Sequence, residues 1–358
     1  MTETPDRLRE LTGEASLNHV VLGPAGSIGV AGRLAEDACS RDALHVLASG
    51  LGLPGLRRDR LADDLARAAA SSDAQAARSA AAVLHAFGMR LGALIATLRD
   101  PATAARQGST PHRRDFLTRW TTVERVWLAG GLLAGRCGPL VLEGAKVTAG
   151  LAPDPCPVAV PPRPELAPLI GAARHVPAGS GSEAAVVADL GHTRIRTAVA
   201  ERHGRTLRRL RHLRAGPAPR LPGTVEAAVG AALAEAVRDA ADPTVKRIRV
   251  IVSVASFVRD GLPADDGQGI YGCLAARAPG LLRAIRDAAG VGADLRFLHD
   301  GTAAASAAGG PGDAVITAGT WLGVGFAPMG GPPRLTVPRD RLPVAWADEA
   351  GPPPAALG

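Results

Sequence analysis

Aromatic side chains are scarce here: Phe, Trp and Tyr together make up 3% of 358 residues. Ala, Gly, Arg and Pro are abundant instead, a skew expected of a GC-rich coding sequence and of little functional weight. Cysteine is also sparse. Cys39, Cys137, Cys156 and Cys273 lie far apart and form no C-x-x-C pair, which speaks against both a zinc site and a disulfide framework. No apolar run stands out as long enough to cross a membrane. The opening segment MTETPDRLRE is charged and lacks the apolar region of a secretory leader. A reduced, cytoplasmic location is the expectation.

What is present is a globular composition. Hydrophobic residues reach 46%, too many for a disordered chain, and the length allows two domains with real cores. The net charge of +7 permits a nucleic-acid partner. The arginines are scattered, however, apart from Arg205, Arg208, Arg209, Arg211 and Arg214. No nucleic-acid-binding signature accompanies them, and the expectation is a hairpin tip and strand edge carrying solvated charge.

Along the chain, His19–Leu22 reads as a short strand. Residues 59–70 and 73–98 read as Ala-rich amphipathic helices, the second with Asp73 as N-cap. Asp100-Pro101 ends it, and 102–119 reads as an exposed Arg-rich loop. A strand over 123–128, the turn Gly130-Gly131, a helix over 132–148, a short strand at 158–160 and a helix over 164–175 follow. Pro177–Ser182 is a linker by composition. Beyond it lie a strand–turn–strand at 186–200, a helix at 225–241 and a buried strand at 247–254. A helix at 279–289, a strand at 294–298, a helix at 301–308 and a strand at 314–317 complete the pattern. The tail from Pro328 is Pro/Gly-rich and irregular. Alternating strands and helices predict an α/β architecture in two lobes.

Four segments carry chemistry. In VVADLGHTRIRTAVA (186–200) an Asp ends a strand, and a Gly-x-Thr turn leads into the next. Asp189 can order a hydrated metal ion, Gly191 lets backbone approach a phosphate, and Thr193 adds a hydroxyl. In FLHDGTAAA a strand delivers Asp300 just before a small-residue helix, where it can accept a proton from an attacking hydroxyl or simply cap the helix. In AVITAGTWLGVGF a Gly-Thr turn offers backbone N–H groups to a second phosphate. In VWLAGGLLA two glycines follow a strand and admit a flat ring against bare backbone.

Together the four resemble the phosphate-1, catalytic-carboxylate, phosphate-2 and adenosine elements of the actin-like ATPase and sugar-kinase superfamily. In detail the chain resembles the ROK family of sugar kinases and repressors. DLGHTRIRTAVA is similar to that family's DxGGTKxxxA, GTWLGVGF to GTGxGxG, VERVWLAGGLLA to its VVxGGG segment, and PRPELAPLIGAA to its usual C-terminus. The order is permuted. Residues 1–176 resemble the family's late half and 186–328 its early half, joined by a linker at 177–185 and followed by a tail at 329–358. The resemblance implies a two-lobed actin-like (ribonuclease H-like) α/β fold with a central cleft, its halves in permuted order.

Carried over residue by residue, the resemblance makes Asp300 the base that deprotonates the acceptor hydroxyl. Asp189, Gly191 and Thr193 fall on the first phosphate loop, with Arg194 where Lys is common. Gly319, Thr320 and Gly323 fall on the second, and Gly130 and Gly131 on the nucleotide-base wall. ATP and Mg²⁺ are the implied cofactors, the metal bridging phosphates with help from Asp189. The acceptor side departs from the family. An ungapped alignment through His19 puts Ser16 where a sugar-binding Glu belongs, and a small shift puts Glu14 there; both alignments stand. His45 replaces a family Glu, and His299 replaces the Asn before the catalytic Asp. The cysteine-rich zinc motif is missing, so structural zinc is not expected and His19 loses its metal role. For each of the three histidines an ordinary structural role is the alternative. Imidazoles in place of hydroxyl-reading groups suggest an acceptor other than plain glucose: a modified sugar, or a sugar-like polyol such as a C7-cyclitol of secondary metabolism. The expected partner is that small molecule. Nucleic acid and membrane are not expected, and a homodimer is allowed. Two alternatives remain. A sugar-sensing regulator lacks room for an N-terminal helix-turn-helix, and a degenerate homologue is kept open by His192 in the first phosphate turn.

Overall fold

The computed structural model describes residues 14–24, 29–177, 183–203, 205–264, 270–327 and 344–346. In chain order the helices and strands begin with α1 (Ala35–Cys39), α2 (Arg41–Gly50), α3 (Leu61–Ala69), α4 (Ala74–Arg99), α5 (Pro101–Gln107) and α6 (Pro111–Trp120). Next come β1 (Arg125–Ala129), α7 (Cys137–Ala149), β2 (Val158–Ala159) and α8 (Ala167–Arg174). β3 (Glu183–Leu190), β4 (Arg194–His203), β5 (Thr206–Pro217), α9 (Val225–Ala240), β6 (Arg247–Val254), β7 (Val258–Arg259) and β8 (Leu262–Pro263) follow. α10 (Leu274–Ala289), β9 (Gly292–His299), α11 (Asp300–Ala308), β10 (Asp313–Ala318), β11 (Leu322–Phe326) and β12 (Val344–Trp346) complete the list. The protein is mixed α/β.

Two compact units divide the chain: residues 1–167 with 304–329, and 168–303 with 330–358. The dividing lines differ from the expected ones. They fall inside α8 and α11, not in the 177–185 stretch, of which 178–182 lie outside the described residues. The reason is pairing: β10 joins β1 by a parallel ladder, so the segment after Ala303 packs with the first unit.

In the first unit the sheet order is β11-β10-β1-β2, parallel except for the β10–β11 hairpin. Its core is built on α4 against α7. The Asp73 carboxylate accepts from the N–H groups of Gln75 (2.8 Å) and Ala76 (3.3 Å), starting α4 as expected. A Cβ at Gly144 would stand 2.0 Å from the His85 carbonyl oxygen, so the two helices touch backbone to backbone. By length and composition α4 is apolar enough to span a membrane, with a mean hydropathy of 1.6, contrary to the expectation of no such run. Its most apolar window is 67% buried inside the protein, as a core helix would be.

Residues 102–119 are not a loop. Pro101 and Pro111 each sit in the first turn of a helix, where the missing N–H costs nothing, and Asp100 and Thr110 cap them. Arg113 within this stretch, and Arg99 just before it, are internal braces. Buried Arg99 donates to the carbonyls of Trp120, Thr121 and Val123 at 2.8–2.9 Å, and buried Arg113 to those of Glu14 and Ser16 at 2.8 Å. The expected strand at 19–22 is reduced to one bridge, Val21 opposite Leu34.

In the second unit the sheet order is β12-β5-β4-β3-β6-β9. β3, β4 and β5 form an antiparallel meander, and β3, β6 and β9 run parallel. The run RVIVSV makes β6 a buried central strand. Helices α9 and α10 pack on one face. Helix α10 starts five residues before the expected Pro279, which lies inside it. The arginine cluster lies on β5 and its hairpin, but Arg209 and Arg211 pair with Glu201, and Arg214 pairs with Glu235 (3.0 Å) and Asp239 (2.9 Å). β5 is no edge, because β12 pairs with it. Most of the tail beyond Ala327 lies outside the described residues.

All four cysteines are free. Burial pushes the Cys39 thiol up to about 12 and the Cys137 thiol to about 11. Neither is expected to react with a thiol reagent such as Ellman's at pH 8 in the folded protein, and both should react on denaturation. Rapid labelling of Cys39 under native conditions, read by peptide mass spectrometry, would contradict this burial.

Candidate functional site

Parallel strands end together, and in open α/β sheets that edge is where ligands bind. In the second unit the ends of β3, β6 and β9 bring Asp189, Ser253, His299 and Asp300 together. Asp189 stands opposite Ser253 in the β3–β6 register, and Val254 opposite His299 in the β6–β9 register.

Asp300 opens α11. Its Oδ1 accepts the Gly301 N–H at 2.6 Å and lies 3.3 Å from Nε2 of His299. Its Oδ2 has no partner among the described residues, and the side chain is 22% exposed. One oxygen is thus fixed and the other is open, which is the arrangement a general base needs. The His299 ring is held flat against Phe257, with centroids 5.3 Å apart and planes 10° from parallel. It therefore meets Asp300 through Nε2, as a donor when that nitrogen carries the proton.

Asp189 is buried. Arg196 donates to its Oδ2 at 3.0 Å, and Ser253 Oγ lies 3.5 Å from its Oδ1. Burial raises its carboxyl to about 6; Arg196 pulls it down and Asp300 pushes it up again. The expectation that Asp189 orders a hydrated metal is modified here, because one of its oxygens already faces a guanidinium. The β3–β4 turn is likewise tied to itself. The Gly191 N–H bonds the Arg194 carbonyl at 3.0 Å, and the Gly191 carbonyl accepts from the Tyr271 hydroxyl at 2.8 Å. So Gly191 has no backbone donor left for a phosphate. His192, Thr193 and Arg194 are exposed around it.

In the first unit the structure brings Gly130 against the start of the 319–321 turn. Gly130 has φ +116, and a Cβ there would lie 2.3 Å from the Ala318 carbonyl oxygen. The fold alone dictates this glycine. Gly131 has φ in the ordinary range, and a Cβ added to it would meet no atom within 4 Å, so only a ligand would demand its smallness. Gly319 and Thr320 form the turn between β10 and β11, with Trp321 51% exposed beside them, and Gly323 pairs with Thr317. Asn18 clamps the hairpin: its Oδ1 accepts the Leu322 N–H at 3.0 Å, and its Nδ2 donates to the Leu322 carbonyl at 3.3 Å.

The acceptor-side residues are less gathered. Ser16 Oγ is occupied by Asn18, from its backbone N–H at 3.2 Å and its Nδ2 at 3.1 Å. Glu14 is half-buried, with its carbonyl held by Arg113, and His19 is exposed. His45 places Nε2 2.9 Å from the Leu56 carbonyl, which is a structural contact. His299 meets another candidate residue, Asp300.

Sequence reasoning missed Arg196, Ser253, Tyr271 and Asn18. Tyr271 carried a signal, as the one tyrosine in the chain. Arg196 carried a weaker one: it falls directly opposite Asp189 once the strands pair.

Among the described residues no three His, Cys, Asp or Glu side chains are placed to hold a metal ion. Asp189 and Asp300 supply two carboxylates. That is the donor set of a Mg²⁺ held mainly by water and substrate phosphates, so these residues fit such an ion and not a closed protein cage. No family model matches this chain, and no curated protein or solved structure matches it significantly.

Proposed function

We propose that the protein is an ATP-dependent phosphotransferase acting on a hydroxyl of a sugar or sugar-like polyol, with Asp300 as general base. The observation that carries this is the Asp300 carboxylate. It sits at the end of a parallel strand and the start of a helix, anchored through one oxygen and open through the other. His299 orients it. Mg²⁺ would be held by Asp189 and Asp300, and when bound it would neutralise phosphate charge during transfer. The order of the second unit's sheet, an antiparallel meander followed by parallel strands with covering helices, supports a ribonuclease H-like lobe and with it the permuted actin-like reading.

A second reading has its own observation. Asp189 is paired with Arg196, and both backbone groups of Gly191 are occupied. A first phosphate element closed in this way favours a sensor or a degenerate homologue that binds no nucleotide.

Coupled ATP turnover against hexoses, amino sugars, inositols and C7-cyclitols decides between them, run beside calorimetry with ATP. A polyol that stimulates turnover supports the kinase. No stimulation by any of them, with no ATP heat, removes it.

The Gly131 position gives a sharper check on the nucleotide. Gly131→Val meets open space, so its stability is expected to stay within about 0.5 kcal/mol of wild type. If a nucleotide base lies against that backbone, ATP affinity should fall by about tenfold or more. Unchanged ATP affinity would remove Gly131 from the site.

A further inference from the structure

The second unit holds a half-open cavity of about 560 Å³ that neither Asp189 nor Asp300 lines. Arg249, Ile251, Asp294 and Arg296 form its floor, the β7–β8 hairpin contributes Leu262, and the end of α8 contributes His175. Side chains two apart on a strand share a face. Arg249 and Ile251 therefore lie on the same sheet face as Ser253, earlier along β6.

The charge there is unbalanced. Arg202 and Arg249 share Glu183, and Arg247 and Arg249 share Asp294. With Arg296 that makes four guanidiniums around two carboxylates. Arg249 uses both terminal nitrogens on these acids, and its Nε has no acceptor. Arg296 is exposed and makes no hydrogen bond or ion pair among the described residues. The other acid lining the cavity, Asp260, is at the rim, 94% exposed and 3.9 Å from Arg259. The guanidinium of Arg296, which has no partner among the described residues, lines a cavity of small-molecule size.

We propose that this cavity binds a small ligand bearing a phosphate group. The dianion pairs with Arg296, whose planar fork matches phosphate oxygens, and Arg249 adds charge behind it. Ile251 and Leu262 give the ligand's body an apolar wall. The inference does not rest on the phosphotransferase reading.

The test is calorimetry on the full chain with inorganic phosphate at constant ionic strength, comparing wild type, Arg296→Gln and, as a control for loss of an exposed arginine away from the cavity, Arg277→Gln. Arg296 is on the surface and its loss should leave folding intact, which circular dichroism checks. Wild type and Arg277→Gln are expected to bind phosphate alike, and Arg296→Gln about tenfold or more weaker. Equal binding by Arg296→Gln would overturn the proposal, as would no binding by wild type at about 20 mM. Succinate competing as well as phosphate would overturn the assignment to a phosphate.

Discussion

Asp300→Asn is expected to lower turnover by about 10²- to 10⁴-fold against whichever polyol supports the wild-type reaction. The variant is nearly isosteric, which makes the result interpretable. Asparagine keeps an oxygen that can accept the Gly301 N–H, now 2.6 Å from Oδ1. It is also as good as aspartate at a helix start, so stability should change by less than about 1 kcal/mol. What it loses is the basic oxygen, Oδ2, which is the one without a partner among the described residues. The loss should appear in kcat with KM little changed, since a base acts on the proton in flight more than on binding. A fall in KM-linked affinity alone, with kcat retained, would make Asp300 a binding or capping residue and take away the main support for the kinase reading. ATP binding by calorimetry should survive the substitution. If ATP binding is absent in wild type as well, the failure belongs to the nucleotide elements, and the closed first turn becomes the better guide.

Much of the fold was legible because its signals are local. Valine-rich β3 and β6 announce buried strands, and Asp73 announces the start of α4. Gly130 marks a point where two backbones nearly touch. The misreadings came from exceptions to local rules and from contacts made far along the chain. A proline after a capping residue looks like a stop, yet Pro101 and Pro111 begin helices, since a helix's first turn has no use for their missing N–H groups. Arg113 was read into an exposed loop because arginine is usually solvated, and Arg99 just before that stretch is buried as well. Nothing in the sequence says that each guanidinium will find backbone carbonyls brought in from elsewhere in the chain. The strand at 19–22 failed because a lone apolar run forms a strand only if a partner of equal length lies beside it, and Leu34 offers a single bridge. The boundary between units was misplaced because pairing of β10 with β1 is a long-range event that composition does not record.

The candidate site was legible in its acids and glycines but not in what holds them. Asp189 and Asp300 stand at strand ends where the motif places them. The sheet register brings Arg196 and Ser253 beside Asp189, and Tyr271 reaches the turn from the segment before α10. Their presence changes the chemistry expected of Asp189, from an open metal ligand to a buried acid already facing a cation. A motif fixes residue types at a spacing. It does not fix the neighbours, and the neighbours set the protonation state.

That protonation state yields the second large effect. Asp189 has a carboxyl raised from 3.8 to about 6, chiefly because burial disfavours the ion. The folded protein therefore holds this proton more tightly than the unfolded chain. Below the unfolded value the group is neutral in both states and costs nothing. As pH rises toward 6 the unfolded chain releases its proton freely while the folded one resists, so stability from this group falls; above about 6 it levels off. Two pH units of difference amount to about 3 kcal/mol. Acids elsewhere add their own slopes, so the comparison to make is with Asp189→Asn, which cannot ionise. Denaturant titrations of both proteins from pH 4 to 7.5, without divalent cations, should show the stability difference moving toward the variant by about 2.5 kcal/mol. The ion pair with Arg196 forms only as Asp189 ionises, so its pull is already contained in the folded value of about 6 and adds no separate slope. A difference that is flat with pH would mean that Arg196 fully offsets the burial of Asp189. Its carboxyl would then titrate in the folded protein much as it does in the unfolded chain.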